Sequence, residues 1–154
     1  STADYQEYHA FMSKMEAELT SMHTMINEAM AYQQQLKPLL AKIKSDASKK
    51  ELHTAGANLL KEMQAWDEDM VQRKSTAYDD VENFPNKFTA NYLYLINQTE
   101  SSIPRVTKGS KDRLEELSKE WEVLKARGEK LLQTSIPAYN KSLQEAGIGV
   151  LYGN

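Results

Sequence analysis

Histidine and carboxylate side chains are the groups of this sequence that can bind a metal or transfer a proton, so their spacing comes first. A di-iron centre in a helical protein needs glutamate and histidine three residues apart on two helices, with two further inward glutamates. The residues three positions before His9, His23 and His53 are glutamine, threonine and lysine. The di-iron pattern is therefore absent, and we expect neither a resident metal nor another cofactor.

Two acidic clusters are the other candidates for chemistry. Residues 67–69 read Asp-Glu-Asp, and residues 79–82 read Asp-Asp-Val-Glu. A calcium-binding loop places oxygen ligands around a glycine and closes with a glutamate, and neither cluster has this pattern. Solvated carboxylates near a helix end and in a loop are the favoured interpretation. The sequence also has no Gly-x-Ser-x-Gly motif and no glycine-rich phosphate loop, so we assign no catalytic residue.

The composition favours a single globular domain without a nucleic-acid partner. The chain has 154 residues, of which 40% are hydrophobic and 27% charged, which is enough for one sizeable core. Its net charge is −3, whereas nucleic-acid binding needs clustered positive charge. Cysteine is absent, which excludes disulfides, and no apolar run approaches the roughly 20 residues of a membrane span.

Apolar residues recur at helical spacing along the chain, which predicts an all-α fold. A first helix is expected over residues 2–44, with a kink or a break caused by Pro38. Glu18 and Gln33 fall at the border of its apolar stripe, where their long side chains can reach solvent. A second helix is expected to begin with a capping box between Ser48 and Glu51 and to end near residue 72.

The later part of the chain predicts two more helices. Pro85 suits the first turn of a short third helix that ends near residue 99. Thr107 or Ser110 is expected to cap the fourth helix, Pro137 to bend it, and Gly147 to end it in a Schellman motif. The fourth helix carries one apolar stripe with a glycine in it: Leu114, Leu117, Trp121, Leu124, Gly128 and Leu131. We predict an antiparallel up-down four-helix bundle with a kinked last helix, in one domain over residues 1–154.

Gly128 and several aromatic residues are the candidates for close contacts. A glycine on the packed stripe predicts the close approach of another backbone or of a large ring such as Trp66. Aromatic and acidic residues near the expected loop over residues 73–83 form a candidate contact surface. Its members are Trp66, Tyr78, Asp79, Asp80 and Tyr94.

Residues 66–150 carry a series of motifs that resembles a known protein region. These motifs are Trp66-Asp67-Glu68, Tyr78-Asp79-Asp80, Asn83-Phe84-Pro85-Asn86-Lys87-Phe88, the stretch from Leu114 to Trp121, Ile136-Pro137-Ala138-Tyr139-Asn140 and Gly147-Ile148. The series resembles the C-terminal helical region of large exported bacterial proteins whose main body is a sortilin-like, BNR-repeat β-propeller, often labelled glycosyl hydrolase-like or sialidase-like. The resemblance implies an accessory domain in an exported, periplasmic or cell-surface protein. Any glycosidase residues would lie in the propeller, so it assigns no catalytic residue here.

Three hypotheses for function follow. The leading one is a non-catalytic helical module that docks on the propeller body of its own parent protein or on another protein. Since the chain begins at Ser1 and not at Met, we expect it to be either processed or a fragment of a larger protein. The alternative is a small-ligand or carbohydrate-binding domain that uses aromatic residues near the loop over residues 73–83, in which some of Trp66, Tyr78 and Tyr94 converge on a pocket. The third is an enzyme that uses the acidic residues of this loop, which predicts a carboxyl group of raised pKa in an apolar pocket. Seven methionines and a wide apolar face on the first helix are also compatible with a homodimer.

Overall fold

The computed structural model describes residues 1–74 and 87–153, and these residues form an all-α fold. The helices are α1 (Thr2–Ile43), α2 (Lys50–Met70), α3 (Phe88–Glu100), α4 (Lys108–Lys130) and α5 (Ile136–Glu145). A π-helical segment, Leu131–Ser135, joins α4 to α5, so the last two helices form one continuous helical stretch. The described residues contain no strand, which confirms the predicted fold class.

The chain divides into two compact units, and each unit combines segments that are distant in sequence. Unit 1 consists of Ser1–Thr24 and Glu68–Leu124, and unit 2 of Met25–Asp67 and Lys125–Asn154. Helices α1, α2 and α4 each contribute residues to both units. The prediction of one domain over residues 1–154 stays a prediction.

Helix α1 continues through Pro38, so the expected break is not present. The helix has 42 residues and contains Pro38 in its interior. Proline removes one backbone hydrogen bond and leaves a carbonyl group of the preceding turn without its partner. Because Pro38 is exposed, water can reach that carbonyl group, and the helix can continue for another turn.

The predicted helix ends have different outcomes. Pro85, predicted for the first turn of the third helix, lies outside the described residues, and α3 begins at Phe88 after Lys87, which forms no side-chain cap. Asp46, not Ser48, is the cap that precedes α2, and its Oδ1 accepts hydrogen bonds from the backbone N–H and the hydroxyl of Ser48, at 3.0 and 2.6 Å. The hydrogen bond from the Ser48 hydroxyl is the main reason why the pKa of Asp46 is lowered. Thr107 caps α4 as predicted, because its hydroxyl oxygen accepts the backbone N–H of Ser110 at 3.1 Å.

Gly147 ends α5 in the predicted Schellman motif. Its φ is +71°, the left-handed conformation that glycine adopts without steric cost. The N–H of Ile148 donates to the carbonyl of Leu143 at 2.8 Å, and the N–H of Gly147 donates to that of Gln144 at 3.0 Å. These two bonds define the motif.

In unit 1, α1 and α4 run in the same direction. Glu7 forms an ion pair with Lys111, and Glu18, further along α1, accepts a hydrogen bond from Ser118, further along α4. Helix α3 runs the opposite way, because Phe88 at its start stacks on Trp121 while Tyr92, one turn later, shares the carboxylate of Glu18 with Ser118. Strict alternation of four helices would make α1 and α4 antiparallel, and the contacts of unit 1 differ from that expectation.

In unit 2, the fully buried ring of Trp66 packs beside Gly128. A Cβ atom at Gly128 would lie 2.8 Å from Cζ2 of Trp66 and 2.6 Å from Cε of Met25. This confirms that Gly128 permits the close approach of a large ring. Gln33, expected to reach solvent, is instead buried, and its amide nitrogen has no hydrogen-bond partner within the described residues.

Candidate functional site

The described part of the chain contains two of the five residues predicted to form a contact surface. Trp66 in unit 2 is completely buried, so its placement at a surface is corrected: the ring occupies the space that Gly128 leaves open. Tyr94 in unit 1 is 65% exposed and remains available for contacts. Tyr78, Asp79 and Asp80 lie outside the described residues, and their role stays a prediction.

Helix α3 exposes an apolar face around Tyr94. Leu93, its neighbour, is 48% exposed, although Tyr92 and Leu95 on either side of the pair are buried. The hydroxyl of Tyr94 accepts a hydrogen bond from Nε2 of Gln98 at 3.1 Å, one turn later on the same helix. We call Leu93 and Tyr94 the α3 face. Leu93 was not among the predicted contact residues; the signal for it is its position beside Tyr94, away from the buried stripe.

A polar cluster lies among three helices of unit 1. The hydroxyl of Tyr92 in α3 donates to Oε2 of Glu18 in α1 at 2.5 Å. The hydroxyl of Ser118 in α4 lies 3.3 and 3.2 Å from the two carboxylate oxygens of the same glutamate. Glu18 therefore contacts hydrogen-bond partners on two other helices, although its side chain was expected to reach solvent. The signal for this cluster is the phenol of Tyr92 on a buried face, because a buried tyrosine hydroxyl usually has a hydrogen-bond partner.

The electrostatics of this cluster favour a neutral phenol. Burial raises the pKa of Tyr92 well above its ordinary value of 10.0, and the hydrogen bond to the Glu18 carboxylate raises it further. The phenol is thus a hydrogen-bond donor throughout the physiological range. The two hydroxyl groups and the carboxylate are hydrogen-bond partners of one another, so the cluster links three helices of unit 1.

The carboxyl groups with shifted pKa values do not resemble a general acid. Asp4 has a lowered pKa, chiefly because the amino group of Ser1 donates a hydrogen bond to it, and Asp46 has a lowered pKa because of Ser48. A general acid at neutral pH needs a raised carboxyl pKa instead. Within residues 1–74 and 87–153, no group of three or more acidic or histidine side chains is arranged to hold a metal ion.

Replacing Tyr92 by phenylalanine is expected to lower the free energy of unfolding at neutral pH by about 1 to 2 kcal/mol, because the Glu18 carboxylate loses a buried donor. The pKa of Tyr92 is higher in the folded than in the unfolded state, so above about pH 10 the unfolded chain loses a proton that the folded chain keeps. The contribution of this group is complete below that pH and declines above it. Urea unfolding of Tyr92→Phe and wild type between neutral pH and about pH 11 measures both effects.

The matched control is Tyr94→Phe, which removes an exposed hydroxyl from the same helix and should change stability by less than about 0.5 kcal/mol. Tyr92→Phe should show a shallower alkaline decline than wild type. Equal slopes for the two proteins would contradict the assignment.

Comparison with known proteins identified no relative of this chain. No protein-family model matches the chain, and the searches of curated proteins and of solved structures found no match either. The described residues thus define an all-α protein with two helical units, and none of their helices has the length and apolarity needed to cross a membrane. The resemblance to sortilin-like propeller proteins stays a prediction.

Proposed function

We propose that this chain is a non-catalytic helical module that associates with another protein surface. The α3 face carries the proposal, because Leu93 and Tyr94 place two adjacent large side chains, 48% and 65% exposed, on the outside of unit 1. Exposed apolar surface of this kind is typical of interaction sites, and tyrosine is enriched among the residues that dominate binding energy. The lowered pKa values of the Asp4 and Asp46 carboxyl groups support the non-catalytic reading, because a general acid at neutral pH needs a raised one.

We also propose bundle packing for the helices of each unit, with a bend in the last helical stretch. The π-helical segment Leu131–Ser135 ends two residues before Pro137, and π-helical turns and proline are two established causes of helix bending. The parallel course of α1 and α4 in unit 1 supports a bundle that differs from strict up-down alternation.

The proposed setting comes from the resemblance of residues 66–150. It is an exported bacterial protein, periplasmic or at the cell surface, whose sortilin-like propeller would carry any glycosidase chemistry. The coding sequence upstream of Ser1 tests this directly. A propeller encoded there supports the setting, and an open reading frame that begins near Ser1 removes it and makes a free-standing binding protein the better proposal.

The association itself is tested on the full-length gene product. Docking should cover the α3 face, so the amide hydrogens of residues 93–97 should exchange more slowly in the full-length product than in the isolated chain. The double substitution Leu93→Ser, Tyr94→Ser should remove this protection, because loss of two central contact residues weakens an interface by roughly tenfold or more.

Val123→Ser is the matched control, since Val123 is an exposed apolar residue of unit 1 on α4. It should leave the protection of α3 unchanged. Both variants should keep the stability of the isolated chain within about 0.5 kcal/mol, because these side chains are exposed. Equal exchange of α3 in the isolated chain and in the full-length product would contradict the proposal.

A further inference from the structure

The segment that follows α5 is held in unit 2 by two side-chain amides. Asn140 on α5 donates from Nδ2 to the carbonyl of Leu151 at 2.9 Å and accepts the Leu151 N–H on Oδ1 at 2.7 Å. Gln35 on α1 donates from Nε2 to the carbonyl of Tyr152 at 2.6 Å and accepts the Tyr152 N–H on Oε1 at 2.9 Å. Each amide thus binds both backbone polar groups of one residue.

This pattern is how a sheet edge holds an extended peptide. In a strand, the N–H and C=O of one residue point to one side and those of the next residue to the other side. Asn140 and Gln35 bind successive residues, Leu151 and Tyr152, from two different helices, so together they act as the neighbouring strands would. Recognition of backbone groups in this way gives affinity that does not depend on the side chain at each position.

The surroundings of the segment nevertheless select for particular side chains. Leu151 is 5% exposed, so an apolar side chain is buried at this position, whereas Tyr152 is 70% exposed and its side chain is free. A Cβ atom at Gly153 would lie 2.9 Å from the hydroxyl oxygen of Tyr32 and 3.2 Å from Oε1 of Glu28, so a residue without a side chain fits best there. The surroundings of the segment therefore accept a leucine, then any residue, then a glycine.

One of the two amides is oriented by its own helix. Nε2 of Gln35 also donates to the carbonyl of Ala31 at 3.1 Å, one turn earlier in α1. This second bond can hold the amide in place when Tyr152 is absent. On the segment's side, Gly149 lies between the Schellman motif that ends α5 and Leu151. Because glycine is the most flexible residue type, the segment can leave from this point without unfolding the helix.

We propose that the groove of unit 2 formed by Glu28, Tyr32, Gln35 and Asn140 is a peptide-binding site for an extended segment with the pattern Leu-x-Gly. In this structure the chain's own residues 151–153 occupy it, and a partner protein with the same pattern displaces them. The inference rests on the proposed function of an interaction module, but it assigns a different surface from the α3 face and names the partner's chemistry.

The test uses the full chain carrying Leu151→Ala, which removes the buried anchor of the occupying segment and leaves the groove intact. The probe is an acetylated synthetic peptide with the sequence of residues 149–154, titrated by calorimetry. We expect it to bind Leu151→Ala at least tenfold more tightly than wild type, because the wild-type groove is already filled. A peptide with alanine in place of leucine should bind at least tenfold more weakly, and one with serine in place of tyrosine should bind equally.

Asn140→Leu, added to Leu151→Ala, should abolish binding of the peptide, whereas Asn58→Leu, an exposed asparagine on α2, should not. A further measurement uses the wild-type chain. Excess peptide should speed the amide exchange of Leu151, because it displaces the segment that occupies the groove. Self-association of the wild type that Leu151→Ala abolishes would show a second copy as the source of the segment, and it supports the groove.

No binding to Leu151→Ala, or binding that persists with Asn140→Leu, overturns the peptide site. The substitutions Leu93→Ser and Tyr94→Ser separate this result from the proposed function. They should leave peptide binding unchanged while removing the protection of α3 in the full-length product. Failure of either experiment thus identifies which of the two surfaces was assigned wrongly.

Discussion

Replacing Trp66 by alanine is expected to lower the free energy of unfolding by about 3 to 5 kcal/mol, a large fraction of the total stability of an ordinary domain. The side chain has no exposed surface and is one of the largest buried groups in the described chain. Its removal takes away the transfer free energy of the indole and leaves a cavity. Met25 and Gly128 lie beside the ring, and the flexible methionine side chain can fill only part of the space that an indole leaves. Urea unfolding at neutral pH measures the loss.

Two comparison variants show whether burial is the cause. Trp66→Phe keeps most of the ring and should lose clearly less stability than Trp66→Ala. Tyr94→Ala removes an exposed aromatic side chain and should change the free energy of unfolding by less than about 0.5 kcal/mol. A loss below about 1 kcal/mol for Trp66→Ala would show that the ring is not central to unit 2.

Replacing Gly128 by valine is expected to cost about 3 kcal/mol, at the upper end for overpacking. The Cβ atom alone would lie 2.6 Å from Cε of Met25 and 2.8 and 3.0 Å from two ring atoms of Trp66. The methionine end can move aside, but the indole is rigid and fully buried. Glycine is a poorer helix former than valine by a few tenths of a kcal/mol, so helix propensity alone predicts that the substitution stabilises the protein slightly. The steric clash is larger and decides the outcome.

Gly109 provides the matched control for this substitution. It also lies in α4, but the nearest heavy atom to an added Cβ is the Thr107 hydroxyl oxygen at 3.9 Å, so Gly109→Val should be within about 0.5 kcal/mol of wild type. The double variant Trp66→Ala, Gly128→Val should be more stable than the sum of the single effects predicts, by about 1 kcal/mol or more, because the valine enters the cavity. Strict additivity of the two effects would contradict direct contact between the sites.

The elements that depend on local rules were predictable from the sequence. Helical spacing of apolar residues predicted an all-α chain, and Gly147 and Thr107 were recognised as helix ends because caps and Schellman motifs involve residues only a few positions apart. The predicted cap at Ser48 was wrong by two residues, since Asp46 offers a carboxylate in the same turn. Gly128 was interpreted correctly because a glycine on an apolar helix stripe leaves space for a ring.

The candidate sites were less predictable, because they join residues that are far apart in the chain. Tryptophan is a residue type that is common at contact surfaces, and only the tertiary structure shows that the ring of Trp66 is buried. Glu18 lies 74 positions from Tyr92 and 100 from Ser118, so its sequence neighbours do not reveal the carboxylate's partners.

The sequence by itself determined the all-α class of the described chain and two of the residues at helix ends, Thr107 and Gly147, because hydrogen bonds within helices and the spacing of apolar side chains are local properties. Tertiary structure alone decided the common direction of α1 and α4 in unit 1 and the groove of unit 2. Gln35 and Tyr152 are 117 positions apart, yet one amide binds both backbone groups of the other residue. Hydrogen bonds between side chain and backbone depend on distances of about 3 Å, which only the packing of the helices sets.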